Sequence, residues 1–260
     1  MNEPPAQFFP GRDGARLAYR ETGEGRPLIF VHGFTGDSRL TLERGPAPAL
    51  AGYGYRVIAP DLRGHGESAR PHDPAAYPPD VLADDGLALI DSLRLTPGSF
   101  DLAGYSLGGK VVLRLLARGA QPGRAVVGGQ GLDALDAESD RTDRYRQLLA
   151  RIASGEALEQ GPPGSMTVAQ WIIERGGDPV ALSLVLDSSV ATPAAALAPV
   201  AIPTLLVVGG QDPRGNTAGE LAAILGNARV SRVPGNHENA PLRGELTAAI
   251  LGFLGPGIGA

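Results

Sequence analysis

At 260 residues, 43% of them hydrophobic, the chain has enough apolar material for one large domain, and its formal charge of −5 with scattered basic residues gives no reason to expect nucleic acid as a partner. The absence of cysteine removes thiol catalysis, disulfides and thiolate metal sites, and neither a cofactor nor a metal is expected. Met1-Asn2-Glu3-Pro4-Pro5 has no basic stretch leading into an apolar one, and no apolar run approaches membrane-spanning length, so a cytoplasmic protein without membrane contact is the expectation.

Asp13-Gly14 predicts a hairpin turn that pairs residues 7–9 with residues 16–19. Short apolar runs then recur at wide spacing, at 28–31, 56–59, 101–103, 125–127, 205–208 and 230–233. Most are β-branched and closed by Gly, Pro or Asp, as in parallel strands buried on both faces. Helical periodicity fills the gaps. Leu82, Gly86, Leu89, Ile90 and Leu93 share one helix face, and so do Leu242, Leu246, Ile250 and Phe253. Strand alternating with helix predicts a mainly parallel eight-stranded sheet flanked by helices.

Between Val127 and Leu205 lies far more chain than one crossover needs. Tyr145, Leu148, Leu149 and Ile152 keep helical spacing there, as do Leu182, Val185, Leu186 and Ser189, with a shorter pattern at Val168, Trp171 and Ile172. Residues 131–199 therefore read as a helical lid inserted after the sixth strand, and 1–130 with 200–260 as the core domain. Asp136, Glu138, Asp140, Arg141, Asp143 and Arg144 suit a solvated outer face of that lid.

Gly104-Tyr105-Ser106-Leu107-Gly108 stands between the strand at 101–103 and a breaker-free helical run, Gly109 to Ala117. A serine at such a junction sits on a strained turn that lifts its hydroxyl above the sheet, at a helix N-terminus that favours negative charge. Small residues two before and two after let strand and helix approach. A serine nucleophile needs a histidine base, and the histidine needs a carboxylate to hold its tautomer. His237, just after the last strand, is the candidate base, in the chain order Ser, Asp, His. Asp212 is the preferred acid because Asp-Pro after a strand and two glycines fixes a tight turn. Asp133, in the loop after the preceding strand, is its rival, while Glu238 would have to fold back on the base. The backbone N–H groups of Leu107 and Phe34 are the candidate oxyanion donors. His32 and the loop from Asp61 to Ser68 read as braces between neighbouring turns, and His72 as a surface residue. Trp171, Tyr105 and Leu186 are the candidates for a substrate pocket.

Taken together, His32-Gly33-Phe34-Thr35-Gly36, Asp61-Leu62-Arg63-Gly64-His65-Gly66, Gly104-Tyr105-Ser106-Leu107-Gly108-Gly109, Asp212 and His237 resemble the α/β-hydrolase fold family over nearly the whole chain. The resemblance implies that fold and a Ser-His-Asp triad, but not a substrate, because the fold hosts many chemistries. Epoxide hydrolases and haloalkane dehalogenases of the family carry aspartate at the elbow, so Ser106 argues against both. The favoured expectation is a serine esterase acting on a carboxylic ester, thioester or lactone of a small to medium substrate. Two alternatives stay open: a carbon–carbon bond hydrolase or lyase, and a non-catalytic small-molecule receptor. Oligomeric state is not legible in the sequence.

Overall fold

The computed structural model describes residues 4–137, 139–156 and 166–257, so Glu138 lies outside the described residues. In chain order the strands are β1 (Gln7–Pro10), β2 (Arg16–Thr22), β3 (Arg26–Val31), β4 (Tyr55–Pro60), β5 (Asp101–Tyr105), β6 (Ala125–Gly128), β7 (Thr204–Gly209) and β8 (Ala228–Val233). Short helices α1 (Ser38–Glu43) and α2 (Ala47–Gly52) separate β3 from β4, and α3 (Val81–Ser92) precedes β5. Helix α4 (Leu107–Ala117) joins β5 to β6. Helices α5 (Asp140–Ala153), α6 (Val168–Glu174), α7 (Pro179–Asp187) and α8 (Ala194–Leu197) lie between β6 and β7, followed by α9 (Ala218–Leu225) and α10 (Gly244–Leu254).

The strands form one sheet in the order β1-β2-β4-β3-β5-β6-β7-β8. From β3 to β8 the pairing is parallel, and β2 joins antiparallel to both β1 and β4. The central strands are buried on both faces. Leu28 and Phe30 of β3 point to the layer of α2 and α10, while Ile29 and Val31 point to that of α3, α4 and α9, so each strand feeds two cores by its period of two. Strand β8 is the exception: as the sheet edge it is buried fully only at Val233. Helices α1 and α2 escaped the sequence reading because Gly45, Pro46 and Pro48 break the pattern, and Pro46 serves instead as the entry to α2.

From β3 the chain moves outward to β4, and from β5 it moves the opposite way to β6. The loops leaving β3 and β5 therefore diverge and open a crevice at the carboxyl ends of two adjacent strands, where open α/β sheets bind ligands. Ser106 closes β5 with φ 55° and ψ −119°, a conformation that side chains seldom adopt. Its two flanking glycines are required sterically. A Cβ on Gly104 would lie 2.3 Å from the Gly108 carbonyl oxygen, and one on Gly108 would lie 2.0 Å from that of Val31.

Gly108→Ala is therefore expected to cost several kcal/mol or to prevent folding, because backbone and not a flexible side chain fills the space. Gly219→Ala is the matched control. It sits exposed in α9 with nothing within 4 Å of the added methyl and should stabilise by roughly 0.5–1 kcal/mol. Thermal and urea unfolding of the two variants measures both effects.

Candidate active site

Three loops converge above the crevice. Ser106 stands at the end of β5, Asp212 follows β7, and His237 follows β8. The Ser106 Oγ lies 2.9 Å from His237 Nε2, and His237 Nδ1 lies 2.6 Å from Asp212 Oδ2. That second contact fixes the tautomer: Nδ1–H donates to the carboxylate and leaves the Nε2 lone pair facing the serine. Asp212 is 2% exposed and also accepts from the Arg214 amide at 3.1 Å. Burial opposes its ionisation, but the bond to His237, the charge of that ring and the Arg214 contacts outweigh it and hold the carboxyl below its ordinary range. The imidazole is fixed from behind as well. The Tyr105 hydroxyl donates to the His237 carbonyl at 2.9 Å, and the two rings lie 5.3 Å apart.

Of the candidate acids, Asp212 is the one bonded to the imidazole. Asp133 is exposed on a 3-10 turn after β6 with no bond to His237, and Glu238 is exposed beside it. The amide of Leu107 is the first of α4 and has no helical acceptor, a consequence of its position in the first turn. The other candidate donor, Phe34, lies on the loop that leaves β3. Two buried histidines set that loop. His32 Nδ1 donates to the Gly33 carbonyl at 2.7 Å, while its Nε2 accepts from the Leu62 amide at 3.1 Å. His65 places Nε2 2.8 Å from the Phe34 carbonyl and Nδ1 3.0 Å from the Arg63 carbonyl, and its one N–H donates to one of them. Burial lowers the pKa of both rings, and the neighbouring His32 pushes His65 lower still, so both stay neutral hydrogen-bonding struts.

The pocket candidates divide between two cavities that meet at Ser106. Trp171 and Tyr105 line a cavity of about 480 Å³ that runs between the sheet and α10 to Leu246 and Ile250. Leu186 lies instead in a smaller space of about 140 Å³ on the other side of the serine, bordered by Gln130, Thr142 and Arg214. Periodicity could place Leu186 on an inward face but could not say which side of the serine α7 would cover. The mouth of the larger cavity has an apolar rim of Met166, Val168 and Leu242, which are 48%, 43% and 59% exposed. They come from two distant segments, so no continuous apolar run announced them. The helices between β6 and β7 are tied to the β3 loop by Trp171 Nε1, which donates to the Thr35 carbonyl at 3.0 Å, and by an Arg175–Asp37 ion pair at 2.6 Å. His72, expected at the surface, is exposed there but also contacts Asp178 at 2.8 Å.

Arg214 is the residue that sequence reasoning missed. Its Nη1 lies 2.9 Å from His237 Nε2 and 3.1 Å from Ser106 Oγ. The only signal was its place two residues beyond Asp212, within the turn whose amide that carboxylate caps.

Among the described residues, no helix is long and apolar enough to cross a membrane, and no group of three or more His, Cys, Asp or Glu side chains is arranged to hold a metal ion. Residues 26–128 match the family described as alpha/beta hydrolase fold. An epoxide hydrolase from Caballeronia sordidicola is 38% identical over 96 residues, 37% of this chain and 28% of that protein. The chain spans about a third of the length of the curated relatives it matches first. A non-heme haloperoxidase from Rhodococcus erythropolis is 28% identical over 95% of this chain and 98% of its own. An esterase from Thermogutta terrifontis superposes with a TM-score of 0.75 at 24% identity, covering 96% of this chain and 98% of that one, a likeness of fold.

If the elbow strain and the His237 contact make Ser106 the reactive hydroxyl, a fluorophosphonate should modify Ser106 alone. Peptide mass spectrometry locates the adduct, and a label on another serine, or none, would remove that expectation.

Proposed function

We propose, for a chain that belongs to the α/β-hydrolase fold family, a serine hydrolase that cleaves a carboxylic ester, thioester or lactone of a small to medium substrate. The observation that carries this reading is the succession of Ser106 Oγ, His237 Nε2 at 2.9 Å from it, and Asp212 Oδ2 at 2.6 Å from His237 Nδ1. A serine flanked by an oriented base at a helix N-terminus is equipped for acyl transfer. The aspartate nucleophile that the family's epoxide hydrolases use is absent from the elbow, where Ser106 stands.

In the proposed cycle, Ser106 Oγ attacks the acyl carbon while its proton passes to His237 Nε2. The carbonyl oxygen becomes an oxyanion held by the Leu107 and Phe34 amides. His237 then gives the proton to the departing alkoxide, the C–O bond breaks, and an acyl-enzyme ester remains. Water, deprotonated by the same Nε2, attacks that ester. Collapse of the second tetrahedral intermediate returns the proton to Ser106 and releases the acid. Asp212 stays ionised throughout and stabilises the imidazolium.

Residues 131–199 are read as a lid over this site, one whose helices set acyl selectivity. The larger cavity, about 480 Å³, is of the size that encloses a compact ligand. Among the described residues its exposed apolar rim is Met166, Val168 and Leu242, not a broad face, which argues against lipid docking.

Two measurements test the function. Asp212→Asn should lower kcat for p-nitrophenyl butyrate by roughly 10³–10⁴-fold, whereas Asp133→Asn should change it by less than about tenfold. The reverse ranking would move the acid to the β6 loop. Across a series of acyl esters, kcat/KM should peak at short chains without a rise above the substrate's solubility limit. A maximum at long chains, or activation on emulsions, would contradict the lid reading.

A further inference from the structure

A guanidinium at the nucleophile needs an explanation that ester hydrolysis alone does not supply. Among the described residues no carboxylate lies within ion-pair distance of Arg214, and its Nε is buried without a hydrogen-bond partner. Burial weakens its hold on its proton, and the like charge of Arg141 adds to this, while Asp133, Asp212 and Tyr145 oppose it from farther off. Arg141, at the start of α5, borders both cavities and has no carboxylate partner among the described residues. Nearby cations are already engaged. Arg114 is clamped by Asp80, and Lys110 Nζ donates to the Asp136 carbonyl. Among the described residues, Arg214 and Arg141, neither ion-paired, border a space of about 140 Å³ beside Ser106, which Asp80, paired to Arg114, and the exposed Asp133 also line.

Arg214 also occupies the base. With Nδ1–H donating to Asp212, the Nε2 lone pair is the only acceptor left on His237, and Arg214 Nη1 contacts it at 2.9 Å. A guanidinium N–H can only donate, so while that bond lasts the Ser106 proton has no acceptor on the imidazole. The same Nη1 donates to Ser106 Oγ at 3.1 Å.

We propose that Arg214, assisted by Arg141, binds a free carboxylate carried by the ester substrate, and that this contact draws Arg214 off His237 Nε2, making the enzyme selective for half-esters of dicarboxylic acids and for lactones or esters bearing a second ionised acid. The selectivity rests on the hydrolase reading above. A carboxylate matches the planar fork of a guanidinium and accepts two parallel hydrogen bonds from it. The acyl or alkyl body of the substrate takes the larger cavity, and its charged end takes the smaller one, where Arg214 and Arg141 stand.

The test compares p-nitrophenyl hydrogen glutarate, which is anionic, with p-nitrophenyl methyl glutarate, its neutral counterpart. Wild type should favour the anion in kcat/KM by about 10- to 100-fold, the scale of a charge-assisted hydrogen bond. Arg214→Gln should lose that preference, its kcat/KM ratio for the two esters falling to about one, and Arg214→Lys should retain part of it. No preference in wild type, or an equal fall on both esters in Arg214→Gln, overturns the proposal. A second arm needs no turnover. Glutarate should bind the Ser106→Ala protein in calorimetry, and bind at least about tenfold more weakly once Arg214→Gln or Arg141→Gln is added. Arg141→Gln, at a more open helix position, serves if the Arg214 variant unfolds. Arginine-dependent glutarate binding without turnover of either ester would sink the hydrolase reading and keep the subsite. Ester turnover with neither preference nor glutarate binding would do the opposite.

Discussion

The close approach of α4 to β3 and β5 is the constraint from which the rest of the site follows. Ser106 has a positive φ because the chain must reverse from strand to helix within one residue, and that is possible only where Gly104 and Gly108 carry no side chain. Backbone strain of this kind costs on the order of 1–3 kcal/mol and persists where the surroundings over-determine it. Here they do. Strand β5 is paired on both sides, and α4 is buried at Val111, Val112, Leu113, Leu115 and Leu116. The hydrophobic core thus sustains a conformation that local preference would reject, and the serine hydroxyl is lifted toward His237.

Electrostatics at the site are arranged by unequal pairing. Many arginines among the described residues have carboxylate partners, and the most buried is Arg63, 1% exposed, held by Asp85 and Asp13. That network anchors the loop that carries His65, and through His65 the Phe34 carbonyl. Arg214 differs in kind: its contacts are the Ser106 hydroxyl and the His237 imidazole. A structural arginine is satisfied by carboxylates of the fold, whereas this one meets a hydroxyl and an imidazole nitrogen. Its buried, unpartnered Nε is consistent with a group whose final partner arrives with a ligand.

The helices over the site act on the β3 loop through few and specific links. Trp171 bonds the Thr35 carbonyl one residue beyond the candidate oxyanion donor, and Phe34 packs edge-on against Tyr145 of α5 with ring centroids 4.8 Å apart. Motion of α5 or α6 would therefore be felt at the Phe34 amide. The Arg175–Asp37 pair adds little by energy, since partly exposed pairs contribute at most about 1 kcal/mol, but it fixes where α6 meets that loop.

Much of this protein was determined by local sequence alone. Most of the strands were legible as short apolar runs closed by Gly, Pro or Asp, β1 and β2 from the turn at Asp13-Gly14, and the elbow because two glycines and a serine at that spacing answer a steric demand. Ser106, Asp212 and His237 were legible from chain order and from their positions just past strand ends. The choice between Asp212 and Asp133 was not secure on those grounds, since both follow strands. The sheet order brings the Asp212 loop, and not the Asp133 loop, to Nδ1 of His237. Helices α1 and α2 were hidden by prolines that begin a helix as well as end one. Leu186 lines a different cavity at Ser106 from Trp171 and Tyr105, which helical spacing could not foresee because it gives a face but not the neighbour it meets. Arg214 was out of reach for the same reason. Nothing in one arginine of 260 residues says that its guanidinium will end within 3.1 Å of a serine 108 positions away, because that distance is set by how β5, β7 and β8 lie side by side.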